Sequence, residues 1–301
     1  MSTTYRPGTV AAAALPDVLP PLVRRGRTRT FLRRHPTIAA GGALIGLMLA
    51  IAVFAPWLGT VDPTAIDPIH RLADPSARHW FGTDMLGRDV WSRTLYGARI
   101  SLLVGFSVAF CAGAAGTLVG IAAGFVRGLD GVLMRIMDGL MSIPPILLAI
   151  ALMALTRASV QNVIFAISVS EFPRVSRLVR GIVLSLREQP FVEAAVAAGT
   201  RLPRIVLRHI LPNTVAALLV QATYTCASAM ITEAILSFIG AGTPPIIPSW
   251  GNIMAEGRAL WEIKPYIVFF PAFFLSVTVL AVNLLGDGLR DALDPRLAKR
   301  L

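Results

Sequence analysis

Apolar residues gather into six long runs separated by short polar segments, each approaching the length needed to cross a hydrocarbon layer. The runs lie at Thr37–Leu58, Ser101–Val126, Val132–Leu155, Ser159–Val179, Thr214–Phe238 and Pro265–Leu285. The last is free of charge and, at about 1.5 Å per helical residue, reaches about 31 Å, matching a hydrocarbon core of about 30 Å. The pattern predicts an all-α integral membrane protein with six transmembrane helices. The fourth run is the most polar: Glu171, Pro173, Arg174 and Arg177 crowd its second half, which places that end at a membrane boundary or against other helices.

The polar segments divide the chain further. Residues 1–36 read as a cytoplasmic tail: three prolines (Pro16, Pro20, Pro21) and an arginine cluster from Arg24 to Arg34 leave no compact apolar stretch for a signal peptide. Residues 37–58 form the first span and 59–100 an extracytoplasmic loop. The core of five further spans occupies 101–287, interrupted by a long connection at 180–213, and 288–301 form a second cytoplasmic tail. Arginines concentrate in the tails, beside the short loop after the second span and in the 180–213 connection, which puts both termini inside. The loop at 59–100 fits least well, since it carries Arg71, Arg78, Arg88, Arg93 and Arg99. Asp62, Asp67, Asp74, Asp84 and Asp89 offset them locally.

Composition agrees with a membrane protein, with 55% hydrophobic residues and only 15% charged. The net charge of +11 in a soluble protein would suggest nucleic acid, but here the basic residues mainly bracket apolar runs, as cytoplasmic loops require, and that reading is rejected. Cys111 and Cys226 sit inside apolar runs as small hydrophobes, and His35, His70, His79 and His209 have no paired ligand spacing, so no metal site is expected. In the second run Gly116, Gly120 and Gly124 recur every four residues, a spacing that lets helix backbones approach closely. The neighbour could be another helix of the same chain or of a second subunit. Charged or kinked positions inside the runs are candidates for a substrate path: Asp138 with Pro144 in the third, Glu171 in the fourth and Glu233 in the fifth.

The 180–213 connection is long for a bundle and has its own pattern. An Ala-rich stretch from Ser185 ends at Gly199; Pro203 then opens a second helix that Pro212 is expected to close. Within it, Glu193-Ala194-Ala195, three residues, Gly199, and twelve more to Leu211-Pro212 resemble the loop by which permeases of ATP-binding-cassette (ABC) importers dock onto their ATPases. His209 stands where that family usually has isoleucine. Further stretches are similar to the second permease of dipeptide, oligopeptide and nickel importers. They are His79-Trp-Phe-Gly-Thr-Asp-Met-Leu-Gly-Arg-Asp-Val-Trp-Ser-Arg93, Leu236-Ser-Phe-Ile-Gly-Ala-Gly242, and the tail from Asn283 to Arg296.

The resemblance implies a type I importer bundle with a cytoplasmic coupling helix, in which Glu193, Ala194, Ala195, Gly199, Leu211 and Pro212 couple the permease to the ATPase. It also implies the partners: a second homologous permease, two ATP-binding subunits or domains that hold ATP and Mg, and an extracytoplasmic binding protein delivering peptide. Nickel or glutathione is the alternative cargo. Independently, a P-loop needs Lys after Gly and before Ser or Thr, yet the lysines Lys264 and Lys299 follow Ile263 and Ala298. No cofactor of its own is therefore expected, and the chain is not an enzyme by itself. A self-sufficient channel or secondary carrier would use the membrane carboxylates alone and has no need of a docking loop.

Overall fold

The computed structural model describes residues 35–293. The arginine-rich tail and residues 294–301 lie outside them. Ten α-helices account for the described architecture: α1 (Pro36–Phe54), α2 (Val90–Phe125), α3 (Arg127–Met141), α4 (Pro145–Ala154), α5 (Val160–Arg187), α6 (Pro190–Ala197), α7 (Leu202–Ile205), α8 (Leu211–Phe238), α9 (Trp250–Gly257) and α10 (Tyr266–Leu293). Among the described residues no strand forms, only an isolated antiparallel bridge between Thr83 and Asp89.

Four helical segments are long and apolar enough to span a membrane: 36–57, 90–125, 202–238 and 266–293. A fifth is gained if the bent pair α3 and α4 crosses as one unit. The continuous third span expected at 132–155 is thus broken, with an 86° bend. Two consecutive prolines cause the break: Pro145 disfavours helical backbone at Pro144, which turns extended (ψ 133°) and caps α4 instead of continuing α3. The helix α5, 28 residues long, accommodates Pro173 but carries Glu171, Arg174, Arg177, Arg180 and Arg187.

The helix α2 begins eleven residues before the expected span, because Asp89 caps it: the carboxylate accepts from the Ser92 amide at 2.8 Å. Its 36 residues extend about 54 Å, so its first turns stand clear of a hydrocarbon core of about 30 Å. Those turns pack against the 59–89 loop and α9. There Trp250 is fully buried and donates its indole N–H to the Thr94 carbonyl at 3.0 Å.

Along its second half, α2 packs on α5. Gly116, Gly120 and Gly124 face Val175, Val179 and Val183 in turn, so the two helices run parallel at close approach. A Cβ at Gly120 would sit 2.6 Å from that of Val179. One apolar cluster joins α1, α2, α8, α9 and α10; a second joins α2, α4, α5 and α8. A third gathers at the α6 end, where Val175, Val179 and Val183 meet Val192, Ile205 and Ile210.

Candidate functional site

The connection between α5 and α8 is a compact helical hairpin. Pro190 sits at the first position of α6, where its missing N–H costs nothing. At the other end, the Gly199 amide donates to the Val196 carbonyl (2.9 Å) and the Thr200 amide to the Ala195 carbonyl (3.0 Å), with Gly199 at φ +73°. That paired closure is a Schellman motif, which favours glycine because a Cβ is strained at positive φ. Glycine is needed here for the turn alone, since a side chain would meet no neighbour within 4 Å.

Only Val192 of α6 is buried, and it anchors the hairpin in the third apolar cluster. Everything else on α6 is open or half-open: Glu193, Ala194 and Gly199 are exposed and Ala195 partly so. Exposed beside them are Phe191, Val196, Leu202 and Leu207, the last at 65%. These four were not singled out in the sequence, although apolar positions inside an otherwise basic connection were the available signal. An eight-residue helix with one inward anchor and an apolar outer face is the geometry of a helix that lodges in a partner's groove.

The second half of the hairpin differs from expectation. Pro212 does not close a helix; the chain continues from α7 through a π turn (Val206–Ile210) directly into α8. Proline lacks an N–H and its ring would collide with the carbonyl four residues back, at Arg208. Widening the turn, with the Leu211 amide reaching back to the Val206 carbonyl, relieves that collision. His209 lies in this turn, its ring 6.1 Å from that of Phe191, so an aromatic contact occupies the position of the expected aliphatic one.

The candidate path residues do not converge. Asp138 pairs with Arg177 at 2.5 Å, and both side chains are about half exposed (51% and 46%). Pro144 forms the N-terminal cap of α4. Glu171 is buried between α5 and α8, accepting from the Ser228 hydroxyl at 2.9 Å, with Arg174 3.6 Å away. Glu233 is fully buried, accepting from the Ser237 hydroxyl at 2.8 Å beneath the segment that leads to α9. Of the three acids, only Asp138 opens to the surface.

A second polar constellation lies at the opposite end of the bundle and was missed as such in the sequence. Asp84 and Glu256 embrace Arg88 and Arg93: Arg88 reaches Asp84 at 2.7 Å and Glu256 at 2.5 Å, and Arg93 bonds both acids. It joins the 59–89 loop, the start of α2 and α9.

These features define a polytopic helical membrane protein with an exposed helical hairpin at one end and an ion-paired cap at the other. Residues 116–299 match the family described as binding-protein-dependent transport system inner membrane component, and residues 26–75 match the N-terminal transmembrane domain of oligopeptide transport permease C. The chain belongs to this family and is a permease of an ABC importer.

Among its relatives, the probable peptide ABC transporter permease protein y4tQ of Sinorhizobium fredii is 54% identical over 92% of this chain and 96% of that one. The glutathione transport system permease protein GsiD of Escherichia coli is 44% identical over 95% and 96%. The dipeptide transport system permease protein DppC of Alkalihalophilus pseudofirmus is 42% identical over 88% of each chain. A chain of the inward-facing MetNI methionine ABC transporter superposes with a TM-score of 0.55 over 67% of this chain and 96% of its own. At 23% identity it speaks for the fold alone.

Proposed function

We propose that this chain is one of two homologous permeases in an importer that carries small peptides across a bacterial inner membrane. The observation that carries this reading is the open apolar face of α6 and the turn after it. A helix whose one buried side chain is Val192, with Ala195 packed beside the same cluster, is built to be gripped from outside. Its partners are two ATP-binding subunits or domains holding ATP and Mg, and a binding protein that delivers cargo on the other side. The missing P-loop lysine supports placing hydrolysis on those partners. The peptide assignment rests on the relatives, which are named for peptide, dipeptide and glutathione transport.

On this reading there are six spans: α1, α2, the bent pair α3 and α4, α5, α8 and α10. Support for α5 comes from its length, about 42 Å at 1.5 Å per residue, and from the placement of all its arginines, Arg174 to Arg187, in the half that approaches α6. The distribution of arginine supports cytoplasmic placement of both termini and of the docking hairpin. Closure of the ATPase pair drags α6, and with it α5 and α8, as a rigid body, so that access alternates between the two faces. Glu193, Ala194, Ala195 and Gly199 form the docking surface, Leu211 and Pro212 the passage into α8, and Asp138 beside the Pro144 break borders the path.

The test is uptake by cells that depend on this chain, using a mixture of radiolabelled di-, tri- and tetra-alanine, with labelled glutathione in a separate arm. Gly199→Asp and Glu193→Lys should each cut peptide uptake by about tenfold or more, while membrane abundance stays within about twofold, since Glu193 is exposed and a side chain at Gly199 would meet no neighbour within 4 Å. Wild-type uptake by both variants would sink the coupling assignment. Accumulation of glutathione but not the alanine peptides would redirect the cargo, and transport by liposomes holding this chain alone would favour a self-sufficient carrier.

A further inference from the structure

We infer that the ion pairs between α3 and α5 form a clip that makes α3 follow the docking hairpin, so that Asp130, Arg180, Asp138 and Arg177 are positioning residues for transport. The inference rests on the coupling role proposed for α6.

The helix α5 runs unbroken from Val160 to Arg187 and enters α6 within three residues. Its last turns are fused to the hairpin by the apolar cluster of Val179, Val183, Val192, Ile205 and Ile210. The end of α2 belongs to the same body, through Ile121 and Phe125 and through a bond from the Arg187 guanidinium to the Gly124 carbonyl at 3.3 Å. A push on α6 therefore moves this body as a whole.

The helix α3 is attached differently. Its fifteen residues contribute a single fully buried side chain, Met137. Both of its acids are instead paired with α5. Asp130 takes a two-pronged grip from Arg180 at 2.6 and 2.7 Å, and Asp138 one from Arg177 at 2.5 Å. Both ends of α3 are joints: Val126 is extended (φ −99°, ψ 99°), and the break before α4 bends the chain by 86°.

Beyond that break, Ala149 and Met153 of α4 are embedded with residues of α2, α5 and α8 in a separate cluster. A rod jointed at both ends and clipped along its length to α5 has its direction set by that helix. Partly exposed ion pairs contribute little to stability, but a bidentate guanidinium and carboxylate fix direction well. Such contacts suit transmission of movement better than assembly. The clip would swing α3, and the Asp138 edge it carries, each time α6 is displaced.

The experiment uses the complete importer in vesicles and compares binding-protein-stimulated ATP hydrolysis with uptake of the labelled alanine peptide mixture. Asp130→Arg and Arg180→Asp should each raise the ATP hydrolysed per peptide imported by about tenfold, as expected for loss of a coupling interaction, without lowering hydrolysis. Combining them restores the pair with its charges exchanged and should return the ratio to within about twofold of wild type. A merely structural role predicts falling abundance at a constant ratio.

If the reversals reduce assembly, Asp130→Asn and Arg180→Gln serve instead, and an unchanged ratio in both would overturn the clip. So would failure of the exchanged pair to recover. Gly199→Asp in the same vesicles separates the two ideas. If it retains uptake, the coupling role of α6 fails; if it abolishes uptake while the reversals keep a wild-type ratio, only the clip fails.

Discussion

Arg93→Met should deplete the folded protein from the membrane and lower the thermal midpoint of what remains in mild detergent. Arg93 is 1% exposed, and its guanidinium satisfies both Asp84, equally buried, and Glu256. Removing it leaves two carboxylates facing one another with Arg88 as their shared cation. Breaking one side of a buried charge network costs about 3–5 kcal/mol, because the remaining charge keeps its desolvation penalty. Against a total stability of about 5–15 kcal/mol for a typical domain, that loss is decisive.

Arg93→Lys should recover only part of it, since an ammonium cannot reproduce the forked contact with two acids. The contrast within the same cap is Lys264 with Asp74, whose carboxylate is 75% exposed. Asp74→Asn should cost less than about 1 kcal/mol. If Arg93→Met matches Asp74→Asn in abundance and melting, the cluster does not hold the cap together.

The difference between those two pairs also marks where the sequence stopped being informative. Apolar runs announced α1, α8 and α10 because a membrane helix satisfies its own backbone and needs only length and apolarity to be visible. The helical hairpin between α5 and α8 was legible for a related reason: Pro190, Gly199 and Pro203 act through local backbone geometry, over a turn or less. Partnerships across the fold were not legible. Arg88 and Glu256 are 168 positions apart, and nothing near Arg88 indicates that its charge is neutralised in α9 and not in water.

Local rules also misled where two of them competed. Pro212 reads as a helix stop, yet a π turn lets the chain pass it, and the demand for continuity between hairpin and span prevails. Pro144, noted as a kinked position inside one span, is followed by Pro145, and together they produce a break of 86°. Exposure was hidden as well: Asp138, Glu171 and Glu233 are alike in sequence, but one is open and two are sealed by helix contacts.

Gly120→Leu should prevent close packing of α2 on α5 and so remove most of the correctly assembled chain. In a lipid setting, apolar surface gains little from association, so helix pairing depends on van der Waals fit and close backbone approach. At Gly120 even a methyl group would lie 2.6 Å from Val179 Cβ and 2.7 Å from the Ser176 carbonyl oxygen. Neither can withdraw without moving α5, because one is attached directly to the backbone and the other is part of it.

The strain is shared along the seam, since Gly116 and Gly124 meet Val175 and Val183 in the same register. Overpacking by a methylene costs about 1–3 kcal/mol in a well-filled core, and leucine adds several at once. Gly120→Ala should be the milder case and should be partly relieved by Val179→Ala, which removes the opposing methyls. Gly113→Ala is the control, because nothing lies within 4 Å of that position. The measurements are membrane abundance and thermal midpoint in detergent for the four variants. Equal behaviour of Gly113→Ala and Gly120→Leu would show that the glycines tolerate a side chain, and that α2 and α5 are held together by something other than their close approach.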